Sequence, residues 1–138
     1  MFALSQASHP ATAYRQVGVE TGVAGASPHE LVAMLYAGLF DTLAQARGAL
    51  QAGQIEAKGR AIGRAVRIVE EGLRSCLDEE RGGPLAANLK SIYGYVVLRL
   101  TQANLHNDVA ALDECAQIIE PVRNAWLAID PARASGAR

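Results

Sequence analysis

Apolar residues recur at helical spacing in four separate stretches of this chain. Leu31, Leu35, Leu39 and Leu43 step by four, with Val32 and Tyr36 beside them. Ile62, Val66, Val69, Leu73 and Cys76 step by four and three. Leu85, Leu89, Ile92, Val96, Leu100 and Ala103 form a third stripe, and Leu112, Cys115, Ile119, Val122 and Trp126 a fourth. Each stripe lies on one side of a helix and predicts the face that enters a core.

Local signals divide the stripes. Ser27-Pro28-His29-Glu30 is a capping box with proline at the first helical position, and opens a helix to about Gln51. Ala52-Gly53-Gln54 breaks the chain before a second helix, from about Gln54 to Glu79. Glu80-Arg81-Gly82-Gly83-Pro84 stops that one, and Pro84 opens a third to about Asn104. Leu105-His106-Asn107-Asp108 turns into a fourth, which ends near Ile129. Pro121, inside it, predicts a bend. Short loops between long helices favour antiparallel neighbours, so the predicted fold is all-α, an antiparallel four-helix bundle over residues 27–130. Residues 1–26 carry only Arg15 and Glu20 as charges and include Gly18, Gly22 and Gly25, which predicts a flexible, weakly helical segment. The tail 131–138 reads as disordered.

Composition narrows the function. The 138 residues suffice for one domain. Thirteen basic and fourteen acidic residues give a net charge of −1 with no basic stripe, so no footprint for nucleic acid is present. Cys76 and Cys115 lie far apart and outside any Cys-x-x-Cys pattern, as reduced core thiols would. No basic segment followed by an apolar run marks a secretory signal, and no uncharged run reaches the ~20 residues a bilayer requires. The expected location is the cytoplasm, without membrane insertion.

Catalytic and metal patterns are missing. None of His9, His29 and His106 follows an acidic residue by three positions, as a bundle metal site would need; His29 reads as a solvated first-turn residue and His106 as a loop residue. Neither a P-loop nor a G-x-S-x-G elbow occurs. Arg47, Arg99 and Arg123 lie at the edges of core faces, where snorkelling or surface ion pairs account for them. The expectation is no enzyme, no metal, no cofactor and no small-molecule substrate.

A second apolar stripe remains unexplained by the core. Ten residues between Glu30 and Asp41 carry no charge, and Met34, Ala37 and Gly38 fall off the core side. Ile68 projects from the second helix among Ala61, Ala65 and Gly72, and Tyr95 and Leu98 from the third near Ser91 and Gly94. Large apolar residues among small ones suit an interface, with the large ones as anchors and the small ones as points of close approach. Met34, Ile68, Tyr95 and Leu98 are therefore candidate partner contacts, and Gly38, Ala65 and Gly72 candidate close-approach positions. The occupant could equally be the N-terminal segment, or a second copy in a constitutive homodimer.

Ser27-Pro28, Met34-Leu35-Tyr36, Leu77-Asp78, Asn88-Leu89, Tyr93 and Ala103-Asn104, in this order and spacing, resemble the flagellar secretion chaperone family, FliS, over roughly Tyr14 to Ile129. The resemblance implies a cytoplasmic bundle that binds the disordered C-terminal segment of flagellin in apolar grooves, prevents premature polymerisation, and delivers it to the cytosolic domain of the flagellar type III export gate. Met34, Gly38, Ala65, Ile68, Gly72, Tyr95 and Leu98 are then candidate flagellin-binding residues. Tyr14 matches an aromatic implicated in export-gate contact, although Ala11 stands where relatives can carry a larger apolar residue. Tyr36, Tyr93 and Trp126 match family positions on or beside core faces.

Overall fold

Ser27 sets the first helix in place. Its hydroxyl accepts the Glu30 backbone N–H at 3.1 Å, and the Glu30 carboxylate accepts the Ser27 N–H at 2.8 Å, so two donors of the opening turn are satisfied reciprocally. The computed structural model describes residues 25–129. Helix α1 spans Pro28–Gln51 and α2 spans Ile55–Arg67. The latter runs on through a π turn, Ile68–Leu73, and a 3₁₀ turn, Arg74–Cys76. Helix α3 spans Glu79–His106 and α4 spans Val109–Ala128. The predicted four-helix bundle is the observed architecture.

The connections are short for identifiable reasons. Gly53 turns the α1–α2 link at φ 75°, and Asn107 closes α3 in the left-handed region at φ 52°. Asp108 then caps α4 by accepting the Ala111 N–H at 3.3 Å. One boundary differs from expectation: the second helical run ends at Cys76 instead of Glu79. Leu77 is extended, and Asp78 caps the next element through the Arg81 N–H at 3.2 Å. Gly83 leaves helical geometry (φ 54°, ψ −134°), so Glu79–Gly82 is a separate turn and the main body of α3 begins at Pro84. Leu85, predicted for the core, is 67% exposed, and Ala86 beside it is the residue that this first turn buries. Helix α4 continues through Pro121. Both Pro121 and Gln117 are exposed, so the carbonyl that proline cannot serve faces water.

In the bundle, α1 and α3 lie diagonally, each flanked by α2 and α4. The core contains Leu39, Val69, Val96, Leu100, Ala103, Cys115 and Ile119, all without exposed surface. At its centre the hydroxyls of Tyr36 and Tyr93 share a 2.6 Å hydrogen bond across the diagonal. One end is closed by a reciprocal pair. His29 Nε2 donates to the Trp126 carbonyl at 2.9 Å, Trp126 Nε1 donates to the His29 carbonyl at 3.1 Å, and the rings stack at 4.9 Å. His29 is thus buried, not solvated as its first-turn position suggested. Both cysteines are free, and burial pushes their thiols up to about 12, consistent with inert reduced residues.

The tyrosine pair yields a prediction. Tyr93→Phe would strand the Tyr36 hydroxyl without a partner and should cost about 1–3 kcal/mol in chemical denaturation, whereas the double change to phenylalanine should recover most of that loss. Burial holds both phenols above their ordinary range. The native state therefore keeps its protons longer than the unfolded chain. This stabilisation is complete below about pH 10 and fades as pH rises further, so alkaline melting should weaken the wild type more than the double variant.

Candidate functional site

The outward side of α3 has a charge-free sector covering roughly half the circumference at about 100° per residue. Between Leu85 and Leu105 the only charged side chains are Lys90 and Arg99, one at each margin of this sector. Both are already paired, Lys90 with Glu79 at 3.0 Å and Arg99 with Glu114 at 2.7 Å. Between these margins lie exposed Ala87, Asn88, Ser91 and Thr101, half-buried Gly94 and Gln102, and three large side chains: Tyr95 at 42%, Leu98 at 51% and Leu105 at 74% exposure. Small and uncharged polar residues interspersed with three large side chains give a partner helix both access and anchors.

Tyr95 is held in place. Its hydroxyl donates to Glu114 Oε2 at 2.7 Å, while Arg99 Nε donates to the other carboxylate oxygen at 2.7 Å. Hydrogen bonding to the carboxylate raises the Tyr95 phenol above its usual range, and the same two donors lower Glu114. The tyrosine is therefore a neutral aromatic on a fixed tether, with less rotamer freedom to lose on binding.

The other candidates divide. Met34 is 38% exposed on α1. Gly38 and Ile68 meet across the α1–α2 seam, where a Cβ on Gly38 would lie 3.6 Å from Ile68 Cδ1. Ile68 is half-buried against the core and presents only one edge outward. The placement of Ala65 and Gly72 on an outer face is corrected: Ala65 has no exposed surface and Gly72 is buried. A Cβ on Gly72 would come within 3.0 Å of Leu35 Cδ2, so the close approach that Gly72 permits is that of α1 itself. Tyr14 lies outside the described residues. Tyr36 and Tyr93 are core residues, and Trp126 is partly buried against the core.

Leu105 was missed because the sequence boundary, at about Asn104, ended the third helix two residues before His106. Its spacing of seven from Leu98 continues the same stripe. Arg123, expected at a core edge, stacks its guanidinium over Phe40 at 4.4 Å. Arg47 is ion-paired with Asp113 at 2.7 Å. Among the described residues no group of three His, Cys, Asp or Glu side chains could hold a metal ion, and no helix is long and apolar enough to cross a membrane.

Known proteins are similar to this sequence over nearly the whole chain. The family described as Flagellar protein FliS matches residues 10–133. The flagellar secretion chaperone FliS of Salmonella typhimurium is 44% identical over 119 residues, covering 86% of this chain and 88% of its own length. FliSB of Pseudomonas aeruginosa is 46% identical over 113 residues (82% and 89%), and FliS of Bacillus subtilis is 35% identical over 118 residues (86% and 84%). These relatives are named for chaperoning, a role without catalysis. With an all-helical bundle, an uncharged outward helix face and this breadth of similarity, the chain belongs to the flagellar secretion chaperone family FliS.

Proposed function

We propose that the protein acts in the cytoplasm as an export chaperone for flagellin. It binds the disordered C-terminal segment of the client, prevents premature polymerisation, and hands it to the flagellar type III export gate. The observation that carries this reading is the uncharged face of α3, with Tyr95, Leu98 and Leu105 available as anchors. A client segment that folds as it binds can cover such a long, shallow surface, and its ordering entropy keeps the complex reversible. Met34 and the outer edge of Ile68, beside Gly38, form a second contact on the opposite side of the bundle, consistent with a client that wraps around it. Tyr14 is the proposed gate contact, on the strength of its match to the family.

Calorimetric titration of the full chain with the C-terminal segment of its own organism's flagellin tests the proposal. The expected result is one-to-one binding with a large negative heat-capacity change, the mark of buried apolar surface. Absence of binding, together with concentration-dependent dimerisation in sedimentation, would replace the client with a second copy of the chain.

A further inference from the structure

Most cations of this bundle have a settled partner: buried Lys58 donates to the Asn104 carbonyl and side chain at 2.9 and 2.8 Å, and Arg123 lies over Phe40. Arg47, Arg74, Arg81, Lys90 and Arg99 each lie within 2.7 to 3.6 Å of a carboxylate. Among the described residues Arg60, Arg64 and Arg67 have no such carboxylate, although all three are exposed and Glu56 stands one turn before Arg60, where helical pairs ordinarily form. Among the described residues, the only side-chain partner of the three is Gln45, whose Oε1 accepts from Arg64 Nη2 at 2.7 Å. That bond holds the guanidinium in place without neutralising it. The three arginines share the outward side of α2 over about 10 Å of helix axis.

Shape accompanies charge. The ridge borders an open trough of about 560 Å³ lined by Glu56, Gly59, Arg60, Gly63, Arg64 and Arg67. Its floor is two glycines one turn apart. A Cβ on Gly59 would face Asn104 Oδ1 of α3 at 3.8 Å, and one on Gly63 would face Arg67 Nη1 at 4.0 Å. Larger side chains would therefore fit sterically at both positions, and their absence leaves backbone accessible beneath a row of unpaired guanidiniums. Each guanidinium can take a carboxylate through paired N–H donors.

We propose that the Arg60–Arg64–Arg67 ridge and its glycine-floored trough form a docking site for an acidic segment of a protein partner, with carboxylates spaced about one helical turn apart. This site lies on α2, separate from the anchors of the α3 face, and does not depend on the flagellin reading. A linear row matches the periodic carboxylates of a peptide better than a single phosphate, which calls for convergent donors. Net charge also argues against a nucleic-acid surface, since the chain carries −1 overall.

The test is fluorescence anisotropy of the full chain with a dye-labelled helical peptide carrying glutamates at spacings of four and three, beside its all-glutamine counterpart. The glutamate peptide should bind, weaken as salt rises, and lose at least about tenfold in affinity with the triple variant Arg60→Gln, Arg64→Gln, Arg67→Gln. A charge-matched control, Arg47→Gln, Arg74→Gln, Arg81→Gln, should lose less than about twofold. Gly63→Leu, which fills the trough without altering charge, should also weaken binding several-fold. Equal losses in the two triple variants would reduce the effect to net charge and overturn the proposal, as would indifference to Gly63→Leu in a variant whose circular dichroism is native. Tighter binding of a single-stranded DNA oligonucleotide or of inorganic phosphate would overturn it in favour of a phosphate site.

Discussion

Leu98→Asp should reduce affinity for the flagellin C-terminal segment by about 100-fold, roughly 2.7 kcal/mol, while leaving the melting temperature nearly unchanged. The side chain is 51% exposed and lies outside the core, so the free protein has little to lose. In the complex an aspartate there would have to shed its hydration against apolar client surface, with Lys90 and Arg99 at the margins of this face already engaged by Glu79 and Glu114. Tyr95→Ala should act in the same direction by removing the aromatic tethered to Glu114, at a cost typical of an interface anchor, about 2 kcal/mol. Calorimetry on both variants, with thermal melts beside it, separates binding from folding. Wild-type affinity in both would remove the α3 face from the client site and leave the α1–α2 seam at Met34 as the alternative.

The largest effect on the fold is expected from Leu39→Ala. Leu39 has no exposed surface and sits among the core residues of α1. Truncation removes its packing and leaves a cavity that rigid neighbours only partly refill, a loss of about 2–5 kcal/mol. For a domain of this size each kcal/mol shifts the melting temperature by about 4–8 °C, so a drop of more than about 10 °C should appear in a thermal scan. Below that transition the variant should still bind client, since no outward residue is changed. Ala65 and Gly72 belong with Leu39 here: larger residues at either position should unsettle the α1–α2 contact first, and affect binding only as far as folding suffers.

These contrasts explain what could be read from the chain. The capping box at Ser27 and Glu30 and the leucine spacing of α1 are local, so their meaning does not depend on the rest of the molecule. Tyr95 and Leu98 were legible as outward residues because α3 is regular between Gly83 and His106. Ala65 and Gly72 were not, since a small residue signals that something approaches closely without saying what. The π turn at Ile68–Leu73 also departs from the uniform 100° step on which the wheel depends. His29 was misread for a different reason: its partner, Trp126, is 97 residues away and nothing in the first turn announces it. The unpaired state of Arg60, Arg64 and Arg67 is likewise a property of distances to carboxylates, which spacing alone does not fix.

The His29–Trp126 pair ties the first turn of α1 to the last turn of α4. The order in which the four helices are strung together is thus only one of several that the packing would accept. If a short linker joined these two turns and the chain were opened at the exposed Gly53 corner, every helix would keep its neighbours. The bundle is a closed ring of helices, and its apolar outer face belongs to the ring and not to any particular beginning or end.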